Sequence, residues 1–552
     1  MRSELKHIGY LALASSFIML GSCRSTDTDN TLGQGVSAVN INLLGTSFHD
    51  GDPGSSQASL GKNASGTYSV ERHSVLITPS TFMAAELSSA SETGLNTQAS
   101  LGKGPMAVIP GAPLGPGMAF RVIAYRQSSG AYHTHQDYIV GQSSPVPMML
   151  DNGGTYTMVA YSYGSATLPL ISSGEKTDIG SAQVNYNNID RDFMYYQKPN
   201  YIPTEAQNRL DITLSHKTTL ITTIIKSSGY GTIDNIASAS ITPHFTTGTI
   251  PLATGNIGGR GSVVDEALIF PGPFGNTTQT AAPVFVNADT GGVNAASFTA
   301  NLTIGGVTKS VNLPNSFSIK PGWKKNLTIL FSKCGAYVAA GVWREFMCHN
   351  LGADTSADAF KPAAAIHGAK YQWGHKPTND AVSDNRYLTQ TDDQNQDYNL
   401  GNNLPAGWTI RKTADVNTPE DDLWGSGKKT KMDPCPNGYR IPSWDEVKDI
   451  HAHNSTTSLG NDWGGSPTNY ATGNMVGTGL FLPAAGSRRS TAGTLPGSTA
   501  ERGQFGSYWT GTRQLAQYYS HAYIFVANDG GTNDGYPIEW GNGISVRCIK
   551  EN

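Results

Sequence analysis

Apolar and polar residues alternate along most of the first three hundred positions. Met118, Phe120, Val122 and Ala124 share one side of an extended run, because successive strand side chains point to opposite faces. Ser128-Ser129-Gly130 supplies a turn, and Tyr132 to Val140 returns. Thr155 to Tyr163 is the next strand, opened by Asn152-Gly153-Gly154. After a polar break at 172–176 the pattern resumes with Ile212, Leu214 and His216, then Leu220 to Ile225. Phe298, Ala300, Leu302 and Ile304 alternate into a Gly305-Gly306 turn, and Val311, Leu313, Phe317, Ile319, Leu327, Ile329 and Phe331 continue the meander. Strands at this spacing, in two blocks of domain size, predict two successive β-sandwiches. Beyond residue 332 the period changes. Ser443 is an N-cap with Glu446 three residues on, which predicts a short helix through His451.

Composition sharpens this division. Eight of the nine tryptophans and three of the five cysteines lie beyond residue 342. The chain is therefore a β-rich stalk followed by an aromatic-rich module. Its 552 residues exceed one hydrophobic core, and 63 glycines with 29 prolines suit many turns between short strands. Only 14% of residues are charged and the net charge is −4, which excludes a nucleic-acid footprint.

Arg2, Lys6 and the apolar run Ile8 to Leu20 read as an export signal, too short to be a membrane span. Leu20-Gly21-Ser22-Cys23 resembles a lipobox, which implies a signal peptide over 1–22 and an acylated Cys23. Each buried acyl CH₂ adds roughly 0.8 kcal/mol of membrane affinity, so outer-membrane lipid becomes a partner without a spanning helix. The polar, acidic tether 23–40, with Asp27 and Asp29, resembles the surface-export signal of lipoproteins in Bacteroidetes-type bacteria. Four cysteines remain: Cys334, Cys348, Cys435 and Cys548. In an exported chain they predict two disulfides, with three connectivities open.

Phe120-Arg-Val-Ile-Ala-Tyr125, Gly154-Thr-Tyr-Thr-Met-Val-Ala-Tyr-Ser-Tyr163, Leu214-Ser-His-Lys-Thr-Thr-Leu220 and Ile319-Lys-Pro-Gly-Trp-Lys-Lys-Asn-Leu-Thr-Ile-Leu-Phe331 resemble segments of the fimbrillin-like family. The resemblance implies transthyretin-like sandwiches over 41–173 and 174–332, exported as a lipoprotein precursor of surface fimbriae. Its implied partners are other fimbrial subunits, joined by strand addition. In related pilins an arginine-specific protease removes the first strand. Arg72 is in range of such a cut, but its surroundings read as a solvated strand end.

Trp343-Arg-Glu-Phe-Met-Cys348, Tyr371-Gln-Trp373-Gly374, Asp433-Pro-Cys435-Pro-Asn-Gly-Tyr-Arg440-Ile-Pro442 and Val546-Arg547-Cys548 resemble the FISUMP-type domain, a relative of the C-type-lectin-like fold, over 333–552. The expected fold is thus mainly β: two transthyretin-like β-sandwich domains, then an α+β C-type-lectin-like domain. That fold brings the Cys435 region to the final strand, so the resemblance implies Cys435–Cys548 and leaves Cys334–Cys348 to stiffen the junction. Chain-entropy models assign a closure of that length roughly 4–5 kcal/mol.

No nucleophile motif or HExxH site appears, and the cysteines match structural positions, so no catalytic residue is expected. Asp393-Gln-Asn395-Gln-Asp397-Tyr-Asn399 lacks the Gly and Glu of a calcium loop and reads as a solvated acidic loop, so neither calcium nor another cofactor is expected. His133/His135 and His451/His453 read as surface histidines without a third ligand. Gln57–Lys62 recurs as Gln98–Lys103, which reads as a local duplication. Trp343, Trp373, Trp444 and Trp509 read as core. Trp463, Tyr518, Tyr519 and Trp540 are the candidate stacking faces for a host or bacterial glycan or protein. The implied role is an adhesin at a fimbrium tip. A structural cap or minor subunit without an external ligand is the alternative.

Overall fold

The computed structural model describes residues 35–49, 71–90, 114–374, 376–377, 387–395, 423–489, 501–513, 519–526 and 532–552. Cys23, Tyr518 and both copies of the Gln-Ala-Ser-Leu-Gly-Lys repeat lie outside them. The architecture is mainly β. In chain order the stalk strands are β1 (Val36–Ser47), β2 (Glu71–Thr78), β3 (Thr81–Ser89), β4 (Ala119–Arg126), β5 (Tyr132–Ile139), β6 (Met148–Asp151), β7 (Tyr156–Ser162), β8 (Gln183–Asn185), β9 (Met194–Tyr201) and β10 (Gln207–His216). They continue as β11 (Thr219–Lys226), β12 (Ile233–Phe245), β13 (Thr249–Pro251), β14 (Val263–Ala267), β15 (Thr278–Thr280), β16 (Val284–Val286), β17 (Ala296–Ile304), β18 (Val307–Phe317) and β19 (Lys324–Lys333).

The alternation read from sequence is the alternation observed. Phe120, Val122, Ala124, Ile212 and Leu214 enter one core cluster, while Phe298, Ala300, Leu302, Ile304, Leu327 and Ile329 enter another. The first sheet has seven strands in the order β5-β4-β7-β9-β10-β1-β6. Within it, Met148 and Leu150, from one edge, share a core cluster with Phe120 and Val122 near the other. Its opposite face is covered by the small β8–β13 pair, which packs Ile250 and Leu252 on Tyr161 and Phe193. The second sandwich packs the β15-β11-β19-β3-β2 sheet, with β16 beside β11, against β14-β12-β17-β18.

Sheet membership crosses the boundary expected at 173/174. β9 and β10 complete the first sheet, although they follow residue 174. The β2–β3 hairpin, which lies between β1 and β4 in sequence, joins the second sandwich instead. β3 pairs with β19 over nine residues, from Thr81↔Lys333 to Ser89↔Lys325. The physical reason is edge protection: β19 is otherwise an edge strand with unpaired amides, and the hairpin covers it.

The terminal module packs on the outer face of this hairpin. β3 is buried on both sides. Met83, Ala85 and Leu87 face the sandwich core, while Phe82 and Ala84 cluster with Cys334, Cys348, Phe360, Ile366 and Phe481 of the module. Phe82 and Phe360 lie 4.4 Å apart, centroid to centroid. The Cys334 and Cys348 amides each donate at 2.8 Å to the turn between β2 and β3, at Ser80 O and Pro79 O. The module therefore shares a core with the hairpin, a wider joint than a stiffened hinge. Arg72, expected at a solvated strand end, pairs with Glu86 at 3.4 Å and stacks its guanidinium 4.7 Å from the Phe360 ring.

The helix expected from Ser443 to His451 is a single 3-10 turn, Trp444–Glu446, closed by a capping box between Ser443 and Glu446. Glu446 is held there by Arg440 at 2.6 Å and Arg344 at 3.2 Å. No helix among the described residues is long and apolar enough to cross a membrane.

Candidate ligand surface of the terminal module

The module is built on a stack of indoles. Trp373 lies 4.9 Å from Trp540 and 5.9 Å from Trp424, which meets Trp509 edge-on at 6.3 Å. All four are fully buried. Burial of an indole requires a partner for its N–H: Trp373 Nε1 donates to Thr510 O at 2.8 Å, Trp509 Nε1 to Tyr371 O at 2.7 Å and Trp424 Nε1 to Met432 O at 2.9 Å. Trp540, expected to offer a stacking face, belongs to this core and is 1% exposed. Trp343, expected in the core, is 39% exposed beside Tyr337 and Val342 on the hairpin that opens the module. Gly335 has no side chain to displace it, since a Cβ there would collide with the Trp343 ring. Trp444 is partly buried against the neighbouring cluster.

Both disulfides are present, Cys435–Cys548 and Cys334–Cys348. Arg547, from the Val-Arg-Cys motif, is buried and donates to Asn350 Oδ1, Met347 O, Cys348 O and Phe481 O at 2.8–3.2 Å. Burial lowers its pKa to about 10. It is a strut across the two bridges. Asp433 accepts from the Cys435 and Ile441 amides at 2.9 Å. Burial raises its pKa, only partly countered by those amides and Lys429.

Above this core lies a second, charged layer. Asp393, expected in a solvated acidic loop, sits in a short helix (Gln390–Asn395) and is 1% exposed. Its carboxylate accepts from Arg488 Nε and, at 2.6 Å, from Arg502 Nη2, while its carbonyl accepts from Arg488 Nη2 at 2.7 Å. Burial acts to raise the Asp393 carboxyl, and Arg502, Lys370 and Arg488 outweigh it, holding the group below the usual carboxylate range. Lys370 is buried nearby and donates to Ala485 O, Gly486 O and Ser545 Oγ at 2.7–3.1 Å. Burial pushes its pKa down to about 7. His367, also buried, is pushed down to about 3 by burial and then by the Lys370 and Arg502 charges.

This layer fixes the loop that carries Trp463. Arg502 donates to Pro467 O and, at 3.0 Å, to Tyr470 OH, with its guanidinium 4.9 Å from the Tyr470 ring. His367 meets the Tyr470 ring edge-on at 5.0 Å. Asn469 Nδ2 donates to Asp462 O and Gly464 O at 2.7–2.8 Å, closing the loop around Trp463. The Trp463 indole is partly buried against the cluster that includes Val447 and Ile450, with Nε1 donating to Gly460 O at 3.1 Å. It presents part of its ring on a rigid mount. Tyr519 begins a strand, Tyr519–Val526, and its side chain lies outside the described positions, as Tyr518 does entirely. Sequence reasoning missed Tyr470 and the ionic layer. No sequence signal set Asp393, Arg488 and Arg502 apart, because the module carries many other charged residues, Asp392 and Arg489 beside them included.

No group of three His, Cys, Asp or Glu side chains among the described residues could hold a metal ion. His133 and His135 are partly buried; His133 Nδ1 pairs with Arg126 at 3.2 Å and His135 Nδ1 with Tyr132 OH at 2.7 Å. A cleft of about 340 Å³ lies outside the module, between Asp190, Arg191 and Asp192 of the first sandwich and Val284 and Phe285 of the second.

Neither a protein-family model nor a curated protein matches the chain. Solved structures do. A candidate cell-adhesion protein from Bacteroides uniformis is 14% identical, with 40% of this chain and 90% of that one covered and a TM-score of 0.29. One from Bacteroides fragilis is 12% identical, covering 56% of this chain and 97% of that one at a TM-score of 0.28. One from Parabacteroides distasonis is 9% identical, covering 47% and 87% at 0.29. Likenesses this slight carry no argument about role, and the chemistry of the surface rests on its own geometry.

Proposed function

We propose that the chain is a surface adhesion subunit whose sandwiches present the terminal module at the end of a fibre. The loop surface around Trp463 and Tyr470 would take a glycan or protein ligand. In this reading Cys23 carries the lipid of an exported, outer-membrane precursor. One observation carries the end position: the ladder that a neighbour would extend at β19 is already occupied. β3 covers β19, and the Ser74 amide of β2 donates to Asp358 of the module at 2.8 Å. Strand addition needs free backbone groups along an edge, and this edge is blunted by the chain itself. Support for the ligand surface is chemical: an amphipathic indole and a phenol on a loop held by buried ions offer low-entropy stacking faces.

Truncation at residue 333 does not test this reading, because it strips Phe82 and Ala84 of their cover. The full chain carrying Trp463→Ala or Tyr470→Ala does, on glycan and matrix-protein arrays. Binding should fall about tenfold or more, as expected for a central aromatic anchor, with tryptophan fluorescence otherwise preserved. Binding unchanged in both variants removes the loop surface from the proposal. Immunogold labelling should mark fibre ends; regular spacing along the fibres contradicts the end position. The 340 Å³ cleft between the sandwiches favours a second reading, in which Asp190, Arg191 and Phe285 hold the ligand; Arg191→Ala would then abolish the array signal that Trp463→Ala leaves intact.

A further inference from the structure

Apart from the β2–β3 hairpin, each sandwich is entered and left by strands that lie side by side and run the same way. β1 enters the first and β10 leaves it, parallel over nine register pairs from Ala38↔Gln207 to Ser47↔Ser215. β11 enters the second and β19 leaves it, parallel over seven pairs from Leu220↔Lys324 to Lys226↔Leu330. Only Lys217 and Thr218 separate β10 from β11.

Tension applied ahead of Val36 and beyond Lys333 therefore acts at opposite ends of each parallel pair. The interstrand hydrogen bonds lie across the direction of pull, spaced along the ladder. They share the load and must yield together. Antiparallel neighbours pulled from the same end unzip bond by bond, each bond worth only about 1 kcal/mol net.

The junction between the pairs is gripped rather than free. Phe48, just past β1, stacks on His216 at 3.7 Å with the rings 3° from parallel. The His49 amide donates to Gly322 O at 2.7 Å, and Gly322 N donates to Thr218 O at 3.2 Å. Thr219 Oγ1 donates to Lys320 O at 2.6 Å, and Leu220 N to Trp323 O at 2.8 Å. The end of β1, the two-residue link and the turn before β19 thus hold one another.

A bypass exists, and it is loaded the same way. If β1 slid from β10, the pull would pass on through the chain to β2. β2 and β19 both pair antiparallel with β3, so they run parallel to each other, and tension between Glu71 and Lys333 again shears a ladder. Past Lys333 the path reaches Cys334 and its covalent bridge to Cys348.

We propose that the β1/β10 and β11/β19 pairs act in series as tension clamps, giving the stalk a load-bearing function. The use of that function rests on the adhesive reading above; the mechanical property does not. The test is single-molecule force spectroscopy on the oxidised full chain. Handles are coupled through azide-bearing residues replacing either Lys217 and Lys333, which shear β11 against β19, or Lys226 and Lys333, which peel the same pair from one end. The shear geometry should rupture at about twofold higher force or more at equal loading rate, since seven register pairs share the load. Equal forces, or a stronger peel geometry, overturn the proposal. A chain with tags only at its two ends keeps every native residue, and its sandwiches should rupture at the shear level; rupture at the peel level overturns the proposal as well. No ligand enters these measurements, so their failure leaves the adhesion reading standing, and loss of the Trp463 surface leaves the clamps standing.

Discussion

Replacing Asp393 by Asn removes one negative charge and little volume, and it tests whether the ionic layer of the terminal module is sealed from water. Asp393, Arg488 and Arg502 are each at most 2% exposed at the side chain, and Lys370 is buried beside them. In Asp393→Asn the Arg488 and Arg502 guanidinium groups lose the Asp393 carboxylate while remaining enclosed beside Lys370. Breaking a buried pair from one side costs about 3–5 kcal/mol, because the uncompensated charge stays behind. For a module of this size the urea slope is about 2 kcal/mol/M, so the midpoint should fall by roughly 1.5–2.5 M. Tryptophan emission is the appropriate readout, since eight of the nine indoles lie beyond residue 342 and report on the module rather than the sandwiches. Adding Arg488→Met should recover part of the loss. A decrease below about 1 kcal/mol would mean that water reaches the guanidinium groups, as at surface pairs, and the Trp463 loop would then lack its rigid mount.

Three further outcomes follow from the same geometry. Lys370 has a folded pKa depressed to about 7, against about 10.4 unfolded, so the unfolded chain binds more protons between those values. Module stability should therefore rise with pH from about 7 to 9.5 in the wild type, and the rise should shrink in Lys370→Met when urea midpoints are compared across that range. Opening Cys435–Cys548 by a double Ser replacement should cost about 4–5 kcal/mol and opening Cys334–Cys348 about 3, because the sequence separations are 113 and 14; equal losses in denaturation would contradict the loop-closure account. Phe82→Ala should cost about 3–5 kcal/mol and make the joint near residue 334 susceptible to limited proteolysis. Met83→Ala, on the other face of β3, should weaken the sandwich without that cleavage.

The pattern along the chain was sufficient for strands such as β17 and β19 and their inward faces, but not for β1 to β3, nor for the second buried face of β4 and β7. Phe298, Ala300, Leu302 and Ile304 announce an inward face because a strand repeats every two residues whatever it pairs with. Trp373 and Trp509 were legible as core because an indole buries a large apolar area when enclosed. Pairing was not legible. Nothing local in Thr81–Ser89 distinguishes a partner in the first sheet from β19, 236 to 252 residues away in register; the choice is made by which edge lies open once the sandwiches form. The same holds for charge. Asp393 in its own segment is one of three acids, with Asp392 and Asp397, and only the folded chain brings Arg488 and Arg502 to it, 95 and 109 residues on. Exposure of Trp343 and burial of Trp540 were likewise decided in three dimensions, by a glycine opposite one ring and an indole stack around the other. Local periodicity specifies the face a side chain takes, whereas partner, register and counter-ion are properties of the assembled sheets.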